Sequence, residues 1–416
     1  MIKVQRTSGP IQGRIKLDGS KSISNRILIL RALGGQDFSI KGLSTSRDTT
    51  TLLKLLDQYE QGNFSEVFDA GAAGTTFRFM TAFLATRPGT QVLSGSKRMK
   101  QRPVGPLVDA LRQLGADINY LEQPGYPPLQ IGAFSPKGAQ VNLKIQADMS
   151  SQFISALLML GPFLPEGLQV DLIGQVVSRP YIEMTLQQMA YMGLSSNWEG
   201  NSIRVFPNQI SARPFVVEAD WSAASYHYAL VAFAENSKLE LNGLSSDSFQ
   251  GDAVIAKIMT YFGVETEFTE TGILINKTQR LLTPAFEWDF LDCPDLAQTV
   301  AVICAALGVP GRFSGLQTLR IKETDRILAL QQELAKVGVE MRATDASETH
   351  FEIRRKAVWE KTPTFHTYED HRMAMAFAPF GMLAPIQIEE EEVVRKSYPA
   401  FWDDLRLLGF EVELLS

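Results

Sequence analysis

The feature that most limits what this chain can become is a period. Helix-like runs beginning near positions 74, 150, 222, 295 and 370 stand 76, 72, 73 and 75 residues apart. Each leads into a short strand-like run: Gln91-Val92-Leu93, Leu168 to Leu172, Leu239-Glu240-Leu241, Gly311 to Ser314 and Ile386-Gln387-Ile388. A glycine follows most of these runs, at Gly95, Gly174, Gly243 and Gly315. So long an interval exceeds the common solenoid repeats and implies a repeated supersecondary unit. An earlier copy starts near Lys21 and continues through Asp37 to Lys41 and Gly42.

A second helix follows in each unit. Leu107, Leu111 and Leu114, or Ile327, Leu330, Leu334 and Val337, step by three and four as an amphipathic helix does. Gly115, Gly193, Gly263, Gly338 and Gly409 are placed to close these helices. Alternating pairs come next, such as Val264 to Phe268 with Ile273-Leu274-Ile275, and Val339 to Arg342 with Phe351-Glu352-Ile353. Each unit reads β-α-β-α-β-β, so the fold class is α/β. Six copies fit, and the first is truncated: between Thr50 and Asp69 there are too few residues for a hairpin. One unit cannot bury both faces of its helices, so two domains of three units are expected. The expected division is 19–219 against 1–18 with 220–416, the N-terminal strands completing the C-terminal half.

Bulk composition narrows the function. The chain of 416 residues is 45% hydrophobic with a formal net charge of −6, so bulk attraction to nucleic acid or anionic membrane is not expected. Any polyanionic ligand needs a local basic cluster. Cys293 and Cys304 lack metal-type spacing. Without a signal-peptide core or a bilayer-length apolar run, a soluble cytoplasmic protein is expected.

The helix starts supply that cluster. Between strand-like Ile15 to Leu17 and helix-like Ile27 to Leu33 lies Asp18-Gly19-Ser20-Lys21-Ser22-Ile23-Ser24-Asn25-Arg26. Other starts read Ala72-Ala73-Gly74-Thr75-Thr76-Phe77-Arg78, Ser150-Ser151-Gln152, Asp220-Trp221-Ser222, Asp292-Cys293-Pro294-Asp295 and Asp370-His371-Arg372. Approaches to second helices include Lys97 to Pro103, Ser178-Arg179-Pro180-Tyr181, Arg320 to Arg326 and Arg395-Lys396-Ser397. A helix N-terminus carries about half a positive charge and binds anions. With helices parallel in each domain, such starts share a face, and two opposed faces would make a cleft for a polyanion. Taken singly, each start has a plainer reading. Asp295 and Asp370 serve equally as caps, Ser150-Ser151 as a cap, and Lys322, Glu323 and Arg326 as a solvated helix face. His227, Met373, Met375 and Cys304 read as core.

In order along the chain stand Gly-Ser-Lys-Ser-x-Ser-Asn-Arg, Ala-Gly-Thr-x-x-Arg, Arg-Met-Lys-x-Arg-Pro, Ser-Ser-Gln-Phe, Ser-Arg-Pro-Tyr-Ile, Lys-Glu-Thr-Asp-Arg and Asp-His-Arg-Met-Ala-Met. This set closely resembles the 5-enolpyruvylshikimate-3-phosphate synthase (3-phosphoshikimate 1-carboxyvinyltransferase) family, from about residue 9 to 409. The resemblance implies the two-domain enolpyruvyl transferase fold, an inside-out α/β barrel. It also implies transfer of enolpyruvyl from phosphoenolpyruvate to the 5-hydroxyl of shikimate 3-phosphate by addition and elimination in the cleft, within the shikimate pathway to chorismate and aromatic amino acids. No metal or organic cofactor is implied. The expected partners are the two small-molecule substrates, with no nucleic acid or membrane, and the protein is expected to be a monomer. Under the resemblance, Lys21, Ser22, Arg26, Ser150, Ser151, Gln152, Ser178, Asp295 and Lys322 hold shikimate 3-phosphate. Lys21, Gly74, Arg102, Gln152, Arg326, Arg372 and Lys396 meet phosphoenolpyruvate. Residues 19–219 mainly bind shikimate 3-phosphate, and the other domain carries the phosphoenolpyruvate side and the catalytic carboxyls. Asp295 is the expected base and Glu323 the expected proton donor to the methylene carbon, with Lys21 competing for either role. His371 is expected to orient its neighbours.

The chain departs from the family's pattern at Ala72 and Thr318, where asparagine is usual, and at Phe79, where proline is common. Glyphosate occupies the phosphoenolpyruvate site in this family; Gly74 leaves room for it, whereas Ala72 lacks a polar contact. Three alternative readings stand beside this one, and the first, an interaction scaffold, would not need this density of arginine at helix starts. Transfer to UDP-N-acetylglucosamine shares the fold, but the segment Lys97 to Pro103 lacks the cysteine usual in those enzymes. A non-catalytic phosphometabolite sensor would be expected to lose Asp295 or Glu323.

Overall fold

The computed structural model describes residues 1–6, 9–135, 142–278 and 283–415. Among them the strands form five four-stranded sheets and one two-stranded sheet. The larger sheets share one plan. Phe286–Asp289 runs parallel to Gly311–Ser314, which pairs antiparallel with Phe351–Ile353, itself antiparallel to Met341–Ala343. Asn142–Gln146, Leu168–Ile173, Ser202–Val205 and Ser196–Glu199 repeat that order. So do Phe68–Asp69, Gln91–Ser94, Leu129–Ile131 and Ile118–Tyr120. The expected β-α-β-α-β-β unit is present: a parallel pair brackets the first helix, and the hairpin follows the second.

The truncated copy behaves as its length dictates. Helix Arg47–Glu60 is followed by Phe68–Asp69, which already pairs in the next sheet. Lacking a hairpin, Ile40–Lys41 pairs, among the described residues, only with Phe215–Val216. The strand expected from Asp37 is therefore shorter, because no partner extends further.

The chain divides into two compact units, 1–18 with 218–416, and 19–217. In the first unit, Ile2–Gln5 lies antiparallel between Ile386–Ile388 and Glu411–Leu414, and Gln12–Lys16 runs parallel to Lys238–Asn242. Both strands that precede a crossing, Gln12–Lys16 and Phe215–Val216, pair in the unit the chain is leaving. Gly19 is needed at one crossing, since a Cβ there would stand 1.9 Å from the Gly42 carbonyl oxygen.

Each unit is built around its first helices. Trp221–Phe233, Ala297–Leu307 and His371–Phe377 are buried almost throughout, as are Lys21–Gly34, Gly74–Leu84 and Ser151–Leu160. Within each unit these helices pack on one another, and helices apolar on nearly every side suit the middle of a large core. The glycines expected to close the second helices all take positive φ, from 73° at Gly263 to 110° at Gly115. The helix expected to run to Met382 tightens after Phe377 into a 3-10 turn, Ala378–Met382, because Pro379 cannot donate a backbone hydrogen bond. Among the described residues no helix is long and apolar enough to cross a membrane.

Candidate active site

In the unit containing 218–416, the helix starts converge on Arg326. This residue opens helix Arg326–Ala335 and is 1% exposed. Its Nε donates to Asp370 Oδ2 at 2.7 Å, and one terminal nitrogen reaches Asp370 Oδ1 at 3.3 Å, giving a two-pronged pair. The other terminal nitrogen donates to Asp295 Oδ1 at 2.9 Å, and the guanidinium also holds Glu323 Oε2 at 3.0 Å. Asp370 does double duty, since its side chain also caps helix His371–Phe377 through the Arg372 N–H at 2.9 Å. Arg372 donates to Asp295 Oδ2 at 2.7 Å, and Lys322 Nζ lies 3.8 Å from Asp295 Oδ1. Lys396 Nζ donates to Glu323 Oε1 at 2.8 Å. The sequence-predicted Asp295, Lys322, Glu323, Arg326, Arg372 and Lys396 thus form one network.

The electrostatics follow from that geometry. Burial opposes the Asp295 charge, but Arg372, Lys322 and Arg326 outweigh it and hold the carboxyl well below the usual range. Burial likewise opposes the Arg326 charge, and Asp370, Glu323 and Asp295 more than restore it. Lys322 is pushed down by burial, against the pull of Asp295. Burial lifts the Tyr226 phenol to about 12, and this hydroxyl accepts from Arg372 at 3.3 Å. His371 packs 3.5 Å from Asp370 and is 1% exposed.

The unit 19–217 brings its residues together differently. Lys21 Nζ lies 3.2 Å from Asp48, a buried carboxylate in the first turn of Arg47–Glu60. Arg26, 2% exposed, donates to Thr185 Oγ1 at 2.7 Å, the Ser22 carbonyl at 2.9 Å, the Tyr181 carbonyl at 3.2 Å and Ser155 Oγ at 3.3 Å. Burial among these neutral acceptors pushes its pKa down to about 10. Ser150 caps helix Ser151–Leu160 by accepting from the Gln152 N–H at 3.3 Å. Gln152 Oε1 accepts from Arg78 at 2.9 Å, and Arg78 also donates to the Gly74 carbonyl at 3.0 Å. A Cβ on Gly74 would stand 2.4 Å from an Arg102 terminal nitrogen, so Arg102 lies directly on that helix start. Ser178 sits at φ 53°, a left-handed conformation a serine adopts only under local strain, and is 5% exposed before helix Arg179–Tyr191.

Sequence reasoning missed Asp48, Thr185, Ser155, Tyr226 and Asp252. Asp48 and Asp252 stand at the starts of second helices, in Ser46-Arg47-Asp48 and Gln250-Gly251-Asp252. That position was the available signal.

Two units of repeated β-α-β-α-β-β elements, with cations and carboxylates gathered at the helix starts, define an enolpyruvyl transferase architecture. Two solved structures of EPSP synthase from Acinetobacter baumannii share the fold. One has a TM-score of 0.77 at 19% identity over 99% of both chains, the other 0.75 at 20% over the whole of both. The chain belongs to the EPSP synthase (3-phosphoshikimate 1-carboxyvinyltransferase) family, whose model matches residues 5–405. A 3-phosphoshikimate 1-carboxyvinyltransferase of Bacteroides fragilis is 48% identical over 406 residues, 97% of either chain. One of Cellvibrio japonicus is 37% identical over 421 aligned positions, covering 95% of this chain and 96% of the relative. The chain is accordingly a transferase of the shikimate pathway, moving enolpyruvyl from phosphoenolpyruvate to shikimate 3-phosphate in aromatic amino-acid biosynthesis.

Proposed function

We propose that the carboxylates of the Arg326 network hold the places of substrate anions until substrate arrives, and then carry the proton transfers. The observation behind this reading is the sharing of Asp295 and Glu323 by Lys322, Arg326, Arg372 and Lys396. The phosphate and carboxylate of phosphoenolpyruvate suit the forks of Arg326 and Arg372 and the compact charge of Lys396. As these anions take over the cations, the carboxyls lose their opposite charges and gain like-charged neighbours. Both changes raise a carboxyl's pKa. Asp295 can then take the 5-hydroxyl proton as oxygen attacks C2 of the enol, while C3 becomes a methyl group by gaining a proton. Glu323 is the donor in this scheme, and Lys21 the second candidate. Loss of a C3 proton with departure of phosphate restores the double bond.

Shikimate 3-phosphate falls to Lys21, Ser22, Arg26, Ser150, Ser151, Gln152 and Ser178, with Asp295 and Lys322 assisting. Arg26 supports this assignment because its hydrogen-bond partners are neutral, which leaves its charge uncompensated beside Ser22. Arg102, Gly74 and Gln152 serve phosphoenolpyruvate alongside Lys21. A monomer working in the cytoplasm fits this reading.

The test is phosphate release. It is expected only with both substrates present, and to be indifferent to metal chelators. Release that needs a divalent metal, or that proceeds with UDP-N-acetylglucosamine, overturns the assignment.

A further inference from the structure

A buried carboxyl that the scheme above leaves unused lies one hydroxyl away from Arg372. Asp252, in the 3-10 turn Gly251–Val254, is 3% exposed. Its Oδ2 accepts from Ser222 Oγ, and Ser222 Oγ in turn accepts from an Arg372 terminal nitrogen at 3.4 Å. Oδ1 of Asp252 has no hydrogen-bond partner among the described residues. The groups facing Asp252 come from three elements. They are Asp220 at the start of helix Trp221–Phe233, Cys293 and Asp295 from the turn before helix Ala297–Leu307, and Arg372 from helix His371–Phe377. We infer that Asp252 is a positioning residue that tunes how strongly Arg372 holds an anion, acting through the Ser222 hydroxyl. This inference rests on the reading that Arg372 meets phosphoenolpyruvate.

The chemistry has two states. When Asp252 is ionised, Ser222 must donate to it and can only accept from Arg372, so the cation is aimed but partly neutralised. When Asp252 is protonated, its negative charge is gone and Arg372 keeps more of its field for Asp295 and the substrate. Burial first, then Asp295 and Asp220, push the Asp252 carboxyl up to about 7, against the opposing effects of Arg372 and the Ser222 hydrogen bond. The switch therefore lies close to neutral pH. Below it, anion affinity at Arg372 is greatest; as pH rises through it, affinity falls. Stability follows the same sign. The folded-state pKa is raised, so the fold's advantage at low pH is lost as pH climbs from the ordinary carboxylate range to about 7.

The experiment measures KM for phosphoenolpyruvate and kcat from pH 6 to pH 8.5 in the wild-type enzyme, Asp252→Asn, Ser222→Ala and Arg372→Lys. Titration of the substrate itself is common to all four and cancels in ratios. The wild-type to Asp252→Asn ratio of KM is expected to climb roughly three- to tenfold across that range, the size of a one-charge change in a partly solvated site, with the effect on KM rather than kcat. Thermal stability of Asp252→Asn should gain on wild type more at pH 8.5 than at pH 6. Ser222→Ala, which cuts the link and keeps the carboxyl, should raise KM already at pH 6. A flat ratio together with an unmoved Ser222→Ala overturns the inference while leaving the Arg372 reading standing. An Arg372→Lys enzyme with unchanged KM overturns that reading itself.

Discussion

The two units solve the same problem with opposite electrostatics. In the unit of 218–416, Arg326 is neutralised by Asp370, Asp295 and Glu323, within hydrogen-bonding distances of 2.7 to 3.3 Å. In the unit of 19–217, Arg26 is as deeply buried but is surrounded by hydroxyls and carbonyls. A buried arginine with neutral partners keeps an outward positive field that recognises anions. A buried arginine among carboxylates stores groups able to accept and return protons. Under the proposed function the difference separates recognition from chemistry, although both units grow from the same repeat.

The sharpest way to break this contrast is to remove a charge from each side. Asp295→Asn keeps the shape but removes the charge and turns one acceptor into an amide NH2 facing Arg326 or Arg372; with the proposed base gone, kcat should fall by about a hundred- to ten-thousandfold. Neutralising Asp48 in the other unit, by Asp48→Asn, should alter substrate KM far more than kcat. Steady-state kinetics of both variants decide it, and equal losses of kcat would dissolve the proposed division.

Stability offers a second comparison. Arg326→Met strands Asp370 without its two-pronged cation, while Asp295 keeps Arg372 and Lys322; such a buried-pair break costs about 3–5 kcal/mol. Arg26→Met strands only neutral acceptors, and an unmet neutral group costs about 1–3 kcal/mol. Chemical denaturation should rank the two in that order. The reverse ranking would show that the carboxylates around Arg326 are solvated enough to stand alone.

What could be read from the sequence follows the same divide. The repeat was legible because periods of two and of three-to-four residues, with closing glycines such as Gly115 and Gly338, are local signals. The clustered cations were legible because they recur at helix starts. In the sequence Arg26 reads, with Lys21, as one of the helix-start cations that would meet an anion. Five residues along a helix is about 500°, so the two side chains point in quite different directions, and Arg26 turns inward to Thr185. Asp48 and Asp252 read as ordinary helix-start acids. Each acquires its partner, Lys21 or Ser222, only when the fold closes a gap of 27 or 30 residues. No periodicity encodes such a pairing.

The smallest expected effect tests whether recognition in the 19–217 unit is as open as its neutral partners suggest. Ala72 is exposed just before helix Gly74–Leu84, at the end of a turn in which Asp69 Oδ1 accepts from the Gly71 N–H at 2.8 Å. Phe79 lies buried in that helix, with Arg26 5.5 Å above its ring, and the helix runs unbroken where a proline would have removed a donor. An asparagine at residue 72 would offer its amide from the foot of that helix. One hydrogen bond to a charged ligand contributes at least about 1.5 kcal/mol, roughly tenfold in affinity. Glyphosate should accordingly compete with phosphoenolpyruvate, weakly in the natural protein and roughly tenfold more strongly in Ala72→Asn. The Michaelis constant for phosphoenolpyruvate should move less, because in the proposed site Arg326, Arg372 and Lys396 carry most of its binding. The two constants are measured side by side in the same assay. If Ala72→Asn leaves glyphosate inhibition unchanged, residue 72 does not face the anion, and recognition in this unit rests on Lys21, Arg102 and the helix starts alone.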